Sequence, residues 1–78
     1  MKTTAYFDFI RYKVGREMFS DDWIISVIKK PEVEEIQEDG RIRCWRRISA
    51  YGDRYLRVIL LADRETVHNA FFDRGFRR

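Results

Sequence analysis

The spacing of apolar positions changes once along the chain: helical before Pro31, alternating from Val33 onward. Tyr6, Phe7, Ile10 and Val14 fit a short helix starting near Thr4, with Gly15 near its end. Phe7 and Phe9 also alternate as a strand would, so this helix is the weaker pattern of the two. Ile24, Val27 and Ile28 form an apolar stripe, edged by Trp23, on a second helix covering roughly residues 21–30. Its ends are marked chemically. Ser20 is a fitting N-cap, and Asp21 and Asp22 sit where the helix dipole favours acids. Lys29 and Lys30 occupy the last turn, and Pro31 stops the helix.

From Val33 the pattern predicts four strands. An acidic strand leads, followed by Arg41–Ile48, Tyr55–Leu61 and Thr66–Phe72, with turn signals at Asp39-Gly40, Tyr51-Gly52-Asp53 and Ala62-Asp63-Arg64-Glu65 between them. Loops this short imply antiparallel hairpins and hence a meander. A three-residue loop Glu38-Asp39-Gly40 sets Ile36 opposite Ile42 and Glu35 opposite Arg43. A five-residue loop from Ala50 to Arg54 places Ile42, Cys44 and Ile48 on the face of Leu56, Val58 and Leu60. A four-residue loop from Ala62 to Glu65 adds Val67 and Phe71 to that face. All three choices yield one apolar face able to receive Ile24, Val27 and Ile28. The expected fold is α+β, with N-terminal helices packed on one face of a four-stranded antiparallel β-meander. The whole chain, residues 1–78, is expected to form a single domain.

The opposite face then carries Arg41, Arg43, Trp45, Arg47, Tyr55, Arg57, Ile59 and His68. In this register His68 faces Ile59 and lies diagonal to Arg57; a one-residue slip would turn it into the core.

Charge sharpens this picture. The net charge is only +3, yet residues 32–39 hold five acids and no base, while residues 41–57 hold six arginines and one acid, Asp53. Arginine outnumbers lysine twelve to four, which favours planar, bidentate contacts to phosphate or carboxylate. The arginines have two candidate partners: a polyanion, or the acidic segment beside them. Glu35 opposite Arg43, with Glu32 and Glu34 near Arg46, would make exposed cross-strand pairs worth at most ~1 kcal/mol each, weak enough for a polyanion to compete.

Candidate chemistry concentrates on the same face. Arg41, Arg43, Arg47 and Arg57 would bind phosphate, and Trp45 and Tyr55 would stack bases. His68, the only histidine, would transfer protons at a ribose 2′-hydroxyl while Arg57 stabilises charge developing on the phosphate. The alternative for His68 is a hydrogen-bonded place in the sheet; for Trp45 and Tyr55 it is burial against a second subunit. Phe76 after Gly75 suggests a tail that turns back onto the body, with Arg77 and Arg78 extending the basic surface.

Other classes are disfavoured. One cysteine, Cys44, excludes an internal disulfide and reads as a buried thiol; with one histidine it cannot build a standard zinc site. No P-loop, GxGxxG or HExxH pattern occurs, so neither metal nor cofactor is expected. No apolar run approaches the ~20 residues of a membrane span, and Asp8 and Arg11 interrupt any apolar leader, so a cytoplasmic place is expected.

The runs Gly40-Arg-Ile-Arg-Cys-Trp45, Arg54-Tyr-Leu-Arg-Val-Ile-Leu60 and Glu65-Thr-Val-His-Asn-Ala-Phe-Phe-Asp-Arg-Gly-Phe76 resemble a family of short uncharacterised bacterial proteins with a late ETVHNAF-DR-F signature. The layout of helices followed by an antiparallel sheet is similar to the RelE/ParE/BrnT group of toxin-like folds. The first resemblance implies no activity. The second implies an RNA-cleaving or partner-bound protein, often paired with a small antitoxin-like protein, but aligns no catalytic residue with this chain. Two functional expectations follow: an RNA-binding protein with potential metal-independent ribonuclease chemistry, or a non-enzymatic interaction module or homo-oligomer using the aromatic and basic sheet face.

Overall fold

Two N-terminal helices lie on one face of a four-stranded antiparallel sheet in the computed structural model, which describes residues 1–14 and 20–77. Helix α1 spans Ala5–Val14 and α2 spans Asp21–Lys29. The strands are β1 (Val33–Ile36), β2 (Ile42–Ile48), β3 (Arg54–Leu60) and β4 (Val67–Phe72), in the order β1-β2-β3-β4. The expectations for Gly15 and Arg78 fall outside the described residues.

Local chemistry accounts for the helix starts. The Thr4 hydroxyl accepts from the Phe7 amide at 3.0 Å, and the Ser20 hydroxyl accepts from the Trp23 amide at 3.2 Å. The guanidinium of Arg11 joins α1 to α2 by an ion pair with Asp21. Helix α2 rests across β2 and β3, and α1 lies against β4. Phe7, Ile24 and Val27 thereby close over Ile42, Cys44, Leu56, Val58, Leu60 and Val67. Each fully buried aliphatic side chain contributes about 1.5–3 kcal/mol.

The β1–β2 register is as expected, with Glu35 opposite Arg43 and Ile36 opposite Ile42, and Gly40 takes φ +89° in the loop. Ile36 nevertheless remains 64% exposed, because β1 is an edge strand outside the helical cover. The second hairpin differs by two residues from the expected register. Its loop begins at Ser49 in a 3-10 turn, so Cys44 pairs with Val58 and Ile48 with Arg54. An even shift preserves the faces, and the apolar side is retained.

The third hairpin brings a correction. Leu60 pairs with Val67, but Ile59 pairs with Asn69, so a bulge at His68 shifts the remainder of β4 by one residue. Ala70 and Phe72 consequently join the core side, whereas Phe71, expected there, lies opposite Arg57. Asn69, not His68, stands opposite Ile59. Pairing along the outer edge of β4 adds an unexpected feature: Thr3 forms a parallel bridge with Val67, and the Val67 amide donates to Lys2 O at 2.9 Å. This contact covers part of a strand edge that would otherwise expose its amides.

Candidate nucleic-acid interface

The face away from the helices is organised by strand register. The pairs Arg43–Ile59, Trp45–Arg57 and Arg47–Tyr55 lie directly across β2 and β3, so Trp45, Tyr55 and Arg57 do come together as expected. What covers them is the chain itself. After β4 the Asp73 amide donates to Tyr55 O at 2.9 Å, and a tight turn follows in which Asp73 Oδ1 accepts from the Gly75 amide at 3.2 Å. That turn carries Phe76 back over the sheet. Its ring stacks on Trp45 at 4.8 Å between centroids and 17° between planes, and it meets Tyr55 at 4.9 Å. Trp45 is left only 6% exposed.

Asp73 holds this arrangement together. Its Oδ2 accepts from Trp45 Nε1 at 3.0 Å and lies 3.6 Å from Arg57 Nη1. The Arg57 guanidinium also sits over the rings of Phe71 and Trp45, at 4.9 and 5.6 Å from their centroids. Its Nε is buried without a hydrogen-bond partner.

Arg41, Arg43 and Arg47, the other arginines of this face, have local partners. Arg43 pairs with Glu35 at 3.0 Å, Arg41 with Asp39 at 3.7 Å and Arg47 with Asp53 at 3.9 Å. Only part of the expected acidic pairing occurs. Arg46 donates to Lys30 O at 2.9 Å, Glu34 pairs with Arg64 at 2.9 Å, and Glu32 accepts from the Arg47 amide. Arg46 lies on the helix-facing side of β2, in line with Cys44 and Ile48, which directs it to the end of α2. These exposed pairs are individually weak, on the order of 0–1 kcal/mol.

His68 belongs to a different neighbourhood from Arg57. Its Nδ1 lies 3.1 Å from Thr4 Oγ1, and its ring stacks on Tyr6 at 4.9 Å. Burial, together with the positive charge of Arg41, lowers its pKa below the usual imidazole value, opposed by Asp39. Because the Thr4 hydroxyl already accepts from the Phe7 amide, donation of its own proton to a neutral Nδ1 satisfies both groups. Cys44 is buried, and desolvation followed by the nearby Glu34 charge pushes its thiol up to about 11, opposed by Arg64. Among the described residues no group of three or more His, Cys, Asp or Glu side chains is arranged to hold a metal ion. No helix among them is long and apolar enough to cross a membrane.

A cleft of about 420 Å³ opens beside the covered aromatics, where the start of β3 meets the tail. Arg54, Arg74 and Arg77 line it with Tyr55, Phe72 and Phe76, and Asp53 and Asp73 supply its acids. Arg47 reaches its border through Asp53. Comparison with protein-family models, curated proteins and solved structures finds no match to this chain. The site therefore has to be read from its own chemistry. Arg54, Arg74 and Asp73 were not singled out by alternation, because the first begins a strand and the others follow one. The Asp73-Arg74-Gly75 turn sequence is the available signal for Asp73 and Arg74; nothing in the local pattern marks Arg54.

Proposed function

We propose that this protein binds single-stranded RNA, with the cleft between the start of β3 and the C-terminal tail as the docking site. The observation that carries this reading is the gathering of Arg54, Arg74 and Arg77 around Tyr55 and Phe76, with exposed Arg47 at the border. Guanidinium groups suit phosphate oxygens, and aromatic rings at the same site suit bases of any sequence.

Binding is favoured over cleavage. His68 is engaged by Thr4 and Tyr6, whereas Arg57 is engaged by Asp73, Trp45 and Phe71. A proton-transfer pair needs both groups within reach of one phosphate. The test is an amide-resonance titration with a short oligouridylate. Shifts concentrated at Arg54, Tyr55 and residues 73–77, lost in an Arg54→Ala/Arg77→Ala variant, are expected. Shifts confined to the helices, or a titration unchanged in that variant, would remove the proposal.

A second reading, an interaction module, moves from the expected sheet face, where Phe76 covers Trp45, to helix α1. In α1, Phe9 is 58% and Tyr12 73% exposed, and Tyr6, although stacked on His68, keeps half of its surface open, more aromatic surface than a helix usually leaves to water. A second copy of this chain is the simplest occupant, and sedimentation equilibrium separates the readings. Salt-insensitive dimerisation abolished by Phe9→Asp would favour it; a monomer at all concentrations would exclude it.

A further inference from the structure

The tail occupies the sheet face in a particular chemical pattern. Phe76 presents a flat ring parallel to Trp45, the geometry in which a nucleobase would stack. Asp73 presents a carboxylate to Arg57 and to the indole N–H, the donors a phosphate oxygen would use. The match is incomplete at the anion. The Arg57–Asp73 separation of 3.6 Å exceeds a hydrogen bond, and Arg57 Nε is left buried without an acceptor. A phosphate on the Nε–Nη2 edge of the guanidinium would supply the acceptor that Nε lacks, which this carboxylate, lying on the Nη1 side, does not.

We infer that Asp73 and Phe76 are an internal stand-in for one nucleotide, and that RNA bound in the adjacent cleft displaces them to place its own base on Trp45 and its phosphate on Arg57. This inference rests on the RNA-binding reading and deepens it. The cleft arginines make the first contact, and the tail turn then yields the inner position. Arg74 and Arg77 flank Phe76 in sequence, so RNA held by them acts directly on the segment to be displaced. Within the turn itself only two bonds hold the backbone, the Gly75 amide donating to Asp73 Oδ1 at 3.2 Å and the Phe76 amide to Asp73 O at 3.4 Å; the ties to Trp45 and Arg57 are the ones RNA would replace, and the bond from the Asp73 amide to Tyr55 O anchors the start of the tail. Affinity is reduced by the fraction of molecules in which the inner position is covered, so weakening the stand-in should raise affinity.

Phe76→Ala gives the deciding experiment because it changes no charge. If the tail competes with a base, the variant binds labelled oligouridylate about tenfold more tightly, equivalent to about 1.4 kcal/mol. If Phe76 is merely a wall of the cleft, the variant binds equally or more weakly, and the inference falls while the RNA-binding reading stands. Absence of binding by both proteins overturns both. Phe76→Leu, which keeps apolar bulk but removes the ring, is the companion should the alanine variant fail to fold, and the same signs apply. Asp73→Asn should also tighten binding, by more than Asp53→Asn, which removes a charge nearby without touching the tail; equal effects would reduce the Asp73 role to general electrostatics and overturn its part. In a Trp23→Phe background, Trp45 emission should be quenched as RNA stacks on it; unchanged emission at saturation would overturn displacement.

Discussion

Replacement of Asp73 by alanine should destabilise the protein well beyond the loss of an ordinary surface ion pair. Asp73 lies outside every strand, and its side chain is only 18% exposed. Two of its contacts have different worth. The ion pair with Arg57, at 3.6 Å and partly open to water, is worth at most about 1 kcal/mol. The hydrogen bond from Trp45 Nε1 is made by a nearly buried donor, and leaving such a donor without an acceptor costs about 1–3 kcal/mol. Partial release of the Phe76 stack adds to this, since stacked pairs contribute ~0.5–1.5 kcal/mol beyond their area. Together these come to about 1–5 kcal/mol, centred near 3, and the central value corresponds to a fall in Tm of roughly 12–24 °C for a domain of this size. Asp73→Asn retains an acceptor for the indole but turns its amide toward the exposed Gly75 N–H that Oδ1 accepted from, and should cost about 1–2 kcal/mol, less than alanine. Urea denaturation followed by far-ultraviolet circular dichroism measures both. A loss below about 0.5 kcal/mol for Asp73→Ala, or equal losses for the two variants, would refute the reasoning that the buried indole donor dominates.

Other outcomes follow from the titrating groups. Cys44, with its thiol raised to about 11, should resist iodoacetamide at pH 8 in the folded protein and react readily in urea; equal rates in both would contradict its burial. His68 should titrate below the usual imidazole value of 6.5, as read from its ring-proton shifts. The neutral form is the one favoured by folding, so its contribution to stability is present above pH 6.5 and is lost as pH falls from there toward the native pKa. A midpoint at or above 6.5, or stability that rises as pH is lowered through that window, would contradict the placement of His68.

The α+β layout was legible because several local signals agreed. Ser20, Pro31 and the Ile24–Val27–Ile28 stripe bounded α2 to within a residue, and Gly40 located the first hairpin. An error of two residues in the second hairpin left the faces intact, since side chains alternate with period two. The bulge at His68 was not legible. No glycine marks it, and Val67, Ala70 and Phe72 are apolar in either phase, so alternation alone assigned Phe71 to the core. The arginine face was readable as composition and register. Its occupant was only partly so: Gly75 suggested a return of the tail, but alternation carries no information on the stack of Phe76 on Trp45 or on the double role of Asp73. The partners of His68 depend on the Thr3–Val67 bridge, a pairing between residues far apart in sequence that no local pattern signals.

The central claim is RNA binding through phosphate contacts at the basic cleft, and fluorescence anisotropy of a labelled oligouridylate at two salt concentrations tests it most directly. If Arg47, Arg54, Arg74 and Arg77 each engage one phosphate, log affinity should fall with log salt at a slope of about −2.8, roughly a 50-fold weakening between about 50 and 200 mM. The RNA should be recovered intact. Absence of binding at 50 mM, or affinity indifferent to salt, would contradict the account.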